Sequence, residues 1–245
     1  MRRPISLLTL SLSVVAGACA DSTAPRGENV SISLATNTAA AAAPAASAVI
    51  ERVPITGNGH TLSLTSMALT VADLRLEHRG HQGADDGTVG SDDVLFAGGP
   101  LTIPLPVDGG VVTLSSRALP AGTFSEVEAE LESLHLAGSY DGTAFDVAVE
   151  LSHSLELTLD PPLTTTGSAD QNVTVSIDFS ACFRDAAGSP VDPRTLTDGG
   201  SGARRAFRDC VANRTRAFED RDRDGHEGAD DHQSSEAGDD HGSDG

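Results

Sequence analysis

The sequence predicts a mainly β protein: an antiparallel β-sandwich, immunoglobulin-like or transthyretin-like, with one C-terminal amphipathic helix and disordered termini. Three observations predict it. Between 55 and 179, apolar residues recur at every second position in segment after segment, the period of half-buried strands. Clusters of Gly, Pro and Asp separate these segments, as the turns of a sandwich require. One stretch, 203–218, changes to helical spacing.

In chain order the first element is a leader. Met1-Arg2-Arg3 gives a basic start, Ile5 to Ala18 an apolar run, and small residues close it, the layout of a secretory signal peptide. The run falls short of the ~20 residues that span a bilayer. Val15-Ala16-Gly17-Ala18-Cys19 follows a bacterial lipoprotein box, with Ala16 where Leu is usual. Cut there, residues 1–18 are removed and Cys19 becomes the lipidated first residue. Ala20 rather than Asp after it favours the outer membrane. Ala18-Cys19-Ala20 is also an A-x-A site; cleavage after Ala20 would give a periplasmic or secreted protein instead. Residues 19–54 are rich in Ala, Thr, Ser and Pro and predict a flexible tether. Within it, Val30-Ser31-Ile32-Ser33-Leu34 has the alternation of a stray strand.

The folded domain is expected over 55–218. Leu62 and Leu64, Leu69 and Val71, and Leu74 and Leu76 alternate with small shifts. Leu101 to Val107, Val127 to Leu131, Phe145 to Leu151, Leu155 to Leu159 and Val173 to Phe179 repeat the pattern. Tyr140-Asp141-Gly142-Thr143 lies between two runs, and Asp-Gly supplies the positive φ angles of a tight hairpin. Pro104, Pro106, Pro161 and Pro162 belong at edges or strand ends, because proline cannot donate to a central ladder. Ala206, Phe207, Cys210, Val211 and Phe218 make the apolar face of a helix over 203–218. Residues 219–245 carry eleven Asp and Glu against two Arg and no large apolar residue, which predicts a disordered acidic tail.

Composition narrows the function classes. The 245 residues carry a net charge of −20, with 36 acidic residues against 16 basic ones, all Arg. Such a chain repels phosphate backbones, which excludes nucleic acid as a partner, and it attracts cations. Aromatics are 3%, without Trp, so stacking platforms for bases or sugars are scarce. Beside Cys19 stand Cys182 and Cys210. An even pair in an exported protein suggests a disulfide, expected to pin the helix to the outer face or the end of a sheet.

The sharpest motif is Asp220-Arg221-Asp222-Arg223-Asp224-Gly225. Carboxylates at positions 1, 3 and 5 with Gly at 6 can wrap a hard cation, and calcium takes six to eight oxygens. By EF-hand counting, His226 offers its carbonyl at position 7 and Asp231 stands at position 12, where Glu is usual. Gly228 at position 9 leaves a place for water. A helix entering at Phe218 is expected, and a weak site of ~0.1–1 mM. The solvated-tail reading of the same residues stands beside it. Asp85-Asp86 and Asp92-Asp93, near His78 and His81, read as turn chemistry first. The Glu126, Glu128, Glu130, Glu132 stripe reads as a solvent face that protects a sheet from aggregation. His135 and His153 read as structural. No G-x-S-x-G, H-E-x-x-H, P-loop or G-x-G-x-x-G occurs, so no catalytic residue is assigned and the expectation is a non-enzyme.

Over residues 60–227 the chain resembles a group of bacterial envelope lipoproteins with no established activity. The resemblance rests on the alternating segment Leu64–Glu77, the Asp-rich loop Asp85–Asp93, the Pro120–Phe124 turn and the closing run Ala217 to Glu227. It implies a lipid-anchored β-sandwich and carries over no catalytic residue. The expected role is a binding or structural module with a protein or glycan partner. The alternatives are an envelope hydrolase or its accessory subunit, and an acidic surface protein that buffers cations.

Overall fold

The computed structural model describes residues 28–37, 54–78, 93–107, 109–166 and 170–228. The leader, Cys19, the stretch 38–53 and the tail 229–245 lie outside the described residues. The described chain is mainly β, in two sheets. Sheet B comprises β2 (Ile55–Gly57), β3 (His60–His78), β4 (Val94–Leu105), β6 (Gly122–Tyr140) and β7 (Thr143–Thr165). The central strands β3 and β6 are paired; β7 forms one edge, and β2 and β4 both line the other side of β3. All these pairings are antiparallel. β6 and β7 join through Asp141 and Gly142 at φ 50° and 76°, the positive angles a two-residue hairpin needs to match strand twist.

Sheet A comprises β1 (Glu28–Asn37), β5 (Gly110–Leu119), β8 (Gln171–Asp178) and β9 (Thr215–Glu219), in the order β5-β1-β8-β9. It departs from the antiparallel expectation, because β1 and β8 run parallel. Parallel neighbours need a long connection, and here all of sheet B intervenes in sequence between them. The two sheets share one aliphatic core, with Leu62, Leu69, Leu134 and Leu136 from sheet B and Val30, Ile32, Val173 and Ile177 from sheet A. Pro104 lies in edge strand β4 and Pro161 and Pro162 in edge strand β7, where a missing donor costs no ladder bond.

Two expectations are corrected. The tether assigned to 19–54 contains β1, which is an interior strand of sheet A and not a stray one. Val30, Ile32 and Leu34 face the core, and Ser31 and Ser33 are buried on the opposite face. The small hydroxyls made the segment resemble its Ala- and Ser-rich surroundings. The helix expected over 203–218 ends early: α2 covers Gly202–Asn213, and Thr215–Glu219 is strand β9. Phe218 stands eleven positions after Phe207 and seven after Val211, which imitates helical spacing. In fact Thr215 and Ala217 alternate with Arg216 and Phe218 against β8, in register with Ile177, Val175, Ser176 and Thr174. The Arg214 amide closes the helix on the Cys210 and Val211 carbonyls.

A short helix α1 (Phe179–Cys182) follows β8 directly. The sulfurs of Cys182 and Cys210 are bonded, with the Cα atoms 5.4 Å apart. The bond ties α1 to α2 at the end of sheet A, beside a cluster of Phe179, Phe183 and Phe207.

Ile32→Ala should lower the unfolding free energy by about 2–5 kcal/mol, measured by denaturant titration; a tether residue would leave it unchanged. Cys182→Ser with Cys210→Ser opens a link of 28 positions. It should cost about 3.5 kcal/mol in the chain-entropy account, read by the same titration.

Candidate metal centre

The candidate centre is built where β9 ends. The Asp220 amide donates to the Asn172 carbonyl at 2.9 Å, continuing the ladder for one more residue. The chain then turns back over the outer face of sheet A, with Arg223 at φ 61° and Gly225 at φ 81°. Gly225 is buried, and a Cβ there would lie 2.6 Å from Val111 Cγ2 and 3.0 Å from the Ala35 Cβ. Only glycine meets both the backbone angle and the close approach. Residues 220–228 are therefore a clasp folded onto sheet A, which corrects the disordered-tail expectation for this stretch.

Under the clasp lies a buried polar layer. Ser31 and Ser33 donate to Asn172 Oδ1 at 2.8 and 2.9 Å. Asn172 Nδ2 donates to Thr174 Oγ1 at 3.0 Å, and Thr174 Oγ1 donates to Asp220 Oδ2 at 2.6 Å. Each group donates to the next towards the carboxylate. Such aligned chains reinforce one another at low local dielectric. Asp220 is fully buried. Its Oδ2 also accepts from the Gly225 amide at 3.0 Å, and its Oδ1 from the Asp224 amide at 3.2 Å.

An ionised carboxylate has about four acceptor sites. Three on Asp220 are filled by these donors, which leaves one lone pair on Oδ1. Asp222 and Asp224 are exposed, and one ligand oxygen of each lies within 4.8 Å of the others and of Asp220. Three carboxylates converging from one buried and two exposed positions can hold a hard cation if carbonyls and water complete the shell. The surroundings differ from the EF-hand expectation: a strand, not a helix, enters at Phe218. The His226 amide donates to Asp224 Oδ1 at 2.7 Å, so the position 7 residue folds back on the cluster. Asp231 lies outside the described residues.

Of the other singled-out residues, Asp85, Asp86, Asp92 and His81 lie outside the described residues. The His78 ring packs edge-on against Phe124, centroids 5.4 Å apart. His135 meets Asp146 at 2.8 Å on an exposed surface. The glutamate stripe crosses three strands: Glu126 pairs with Glu77 of β3, and Glu128 with Glu156 of β7. Arg75 answers Glu128 at 3.4 Å. Partial burial raises the pKa of Glu77, and Asp93, Glu126 and Glu128 raise it further. Partial burial also raises that of Glu126, followed by repulsion from Glu156 and Glu128.

The buried layer of Ser31, Ser33, Asn172 and Thr174 was missed at the level of sequence. Its signal was present: in β1 and β8 small polar residues alternate with Val and Ile. Polar residues on a strand are normally assigned to solvent, and nothing local reveals that another segment covers them. Among the described residues, no helix is long and apolar enough to cross a membrane.

Asn172→Ala should destabilise by about 1–3 kcal/mol, because it removes the buried acceptor that Ser31 and Ser33 share and the amide donor to Thr174; thermal or denaturant unfolding reads this. For Glu77 and Glu126 the folded pKa lies above the unfolded one. Their stabilising contribution is then complete at pH below the ordinary Glu value and is lost as pH rises through the raised one. Glu126→Gln should flatten the fall in denaturant midpoint as pH rises above the ordinary Glu range; a parallel profile would contradict the assignment.

In comparisons with protein-family models, with curated proteins and with solved structures, the chain matches none.

Proposed function

We propose that this protein is a lipid-anchored β-sandwich module of a bacterial envelope, held at the outer membrane through Cys19. Its role is binding or structural, with a protein or glycan partner, and it is not an enzyme. Its C-terminal clasp takes one calcium ion at Asp220, Asp222 and Asp224. The observation that carries the calcium reading is the convergence of these three carboxylates within 4.8 Å on a fully buried Asp220. That carboxylate accepts three hydrogen bonds and keeps one acceptor site on Oδ1. The leader and its Cys19 support the anchoring, and the absence of any catalytic signature from the sequence supports a non-enzymatic role.

Calcium would reach the cluster through Asp222 and Asp224, whose side chains face solvent. It would offset their mutual repulsion and hold the 220–226 turn closed over sheet A. Isothermal titration of the full chain with calcium should show about one equivalent, in the ~0.1–1 mM range of extracellular sites. Asp222→Ala with Asp224→Ala should abolish it without unfolding the protein, since both side chains are exposed. Many weak equivalents that persist in the double variant would favour the cation-buffer reading instead. Cys19→Ser should shift the protein from the membrane fraction to the soluble one.

A further inference from the structure

On the outer face of sheet A, a groove of about 190 Å³ opens beside the clasp. Ser176 and Asp178 of β8 and Arg216 and Phe218 of β9 line it. Arg214 borders it at the turn into β9, and Gly225, His226 and Glu227 of the clasp line it too. The backbone under both arginines is fixed. The Arg214 carbonyl accepts from the Asp178 amide at 3.1 Å, and its amide is bonded into the end of α2. Arg216 is held in register opposite Ser176. The clasp wall is tied down as well, because the Gly225 amide donates to the buried Asp220 Oδ2 at 3.0 Å.

Of the eleven described arginines, six engage a carboxylate within 3.4 Å or a main-chain carbonyl, while Arg205 and Arg223 stand on exposed surface without such a contact. Arg75, Arg194, Arg204 and Arg221 each meet a carboxylate within 3.4 Å. Arg117 and Arg184 donate to main-chain carbonyls. Among the described residues, no hydrogen bond or ion pair engages the guanidinium of Arg214 or Arg216. This holds although Asp178 and Glu227 line the same groove. The Asp178 carboxylate is turned elsewhere: its Oδ1 accepts from the Ser180 hydroxyl at 2.6 Å and the Ala181 amide at 3.3 Å, capping α1.

We infer that this groove binds a small oxyanion, a sulfate- or phosphate-type group, between the guanidinium groups of Arg214 and Arg216. Guanidinium forks match such anions geometrically, with two parallel donors each. The groove is smaller than the ~300–1,000 Å³ of ordinary small-molecule pockets, so it suits a single anionic group and not an extended ligand. The net charge of −20 repels anions at long range, so recognition here depends on direct contact and not on steering. This site shares no carboxylate ligand with the calcium cluster, although Gly225 and His226 of the same turn line it.

The test is an NMR titration of the full, isotope-labelled chain with sodium sulfate at constant ionic strength, without calcium and again with it. Arginine Nε–H signals and the amides of 214–227 are followed. The expected result is saturable shifts at these positions, with affinity weakened about tenfold or more by Arg214→Gln or Arg216→Gln and unchanged by Arg205→Gln on exposed α2. The absence of saturable shifts would overturn the proposal. So would equal weakening by all three variants, which would signify only a diffuse charge effect. Failure of calcium binding in the same samples leaves this result unaffected.

Discussion

The hydrogen-bonded chain from Ser31 and Ser33 through Asn172 and Thr174 to Asp220 links three parts that are distant in sequence: β1, β8 and the clasp. Each member depends on the next because all are buried. An unpaired hydroxyl, amide or carboxylate in that layer would cost more than its hydrogen bond contributes. The layer therefore fixes the parallel register of β1 on β8. A slip by one residue would turn these groups into the aliphatic core and expose Val30 and Ile32. It also sets where the chain goes after β9, since Asp220 can close the relay only if the clasp lies across sheet A.

The outer faces of the two sheets consequently differ. Sheet B presents glutamates in opposed pairs, Glu77 with Glu126 and Glu128 with Glu156. Like charges directly opposite one another destabilise a sheet, and they also keep it from stacking on another copy. Sheet A hides its polar face beneath the clasp, and both proposed ligand positions lie along that cover. The cation cluster forms its turn, and the two arginines flank its edge. The disulfide and the Phe179, Phe183 and Phe207 cluster secure the α1–α2 end, where Arg214 closes α2 ahead of β9, the strand that carries Arg216.

Much of sheet B was legible in the sequence, because Leu62 with Leu64, Leu69 with Val71, Val127 to Leu131 and Phe145 to Leu151 obey the period of two and Asp141-Gly142 names its own turn. Sheet A was legible only in part. β1 was obscured because its outward residues are serines under a cover contributed by a segment nearly two hundred positions away. β9 was obscured because Phe207, Val211 and Phe218 satisfy a helical spacing that ends physically at Asn213. The Asp-x-Asp-x-Asp-Gly run marked the right residues but suggested the wrong surroundings. Local spacing carries the chemistry of the turn and not the element that enters it, nor the burial of its first carboxylate. The arginine groove had no sequence signal at all, since it arises where a strand, a helix end and the clasp meet.

The central claim is that the clasp is an integral part of sheet A, anchored by the buried Asp220 carboxylate. Amide hydrogen exchange at Gly225 tests it most directly, because that N–H donates to Asp220 Oδ2 at 3.0 Å under buried cover. In calcium-free protein the account predicts that Gly225 exchanges orders of magnitude more slowly than an unstructured glycine, and at the rate of the Asp220 amide. Exchange of Gly225 at the unstructured rate, with β8 still protected, would contradict it.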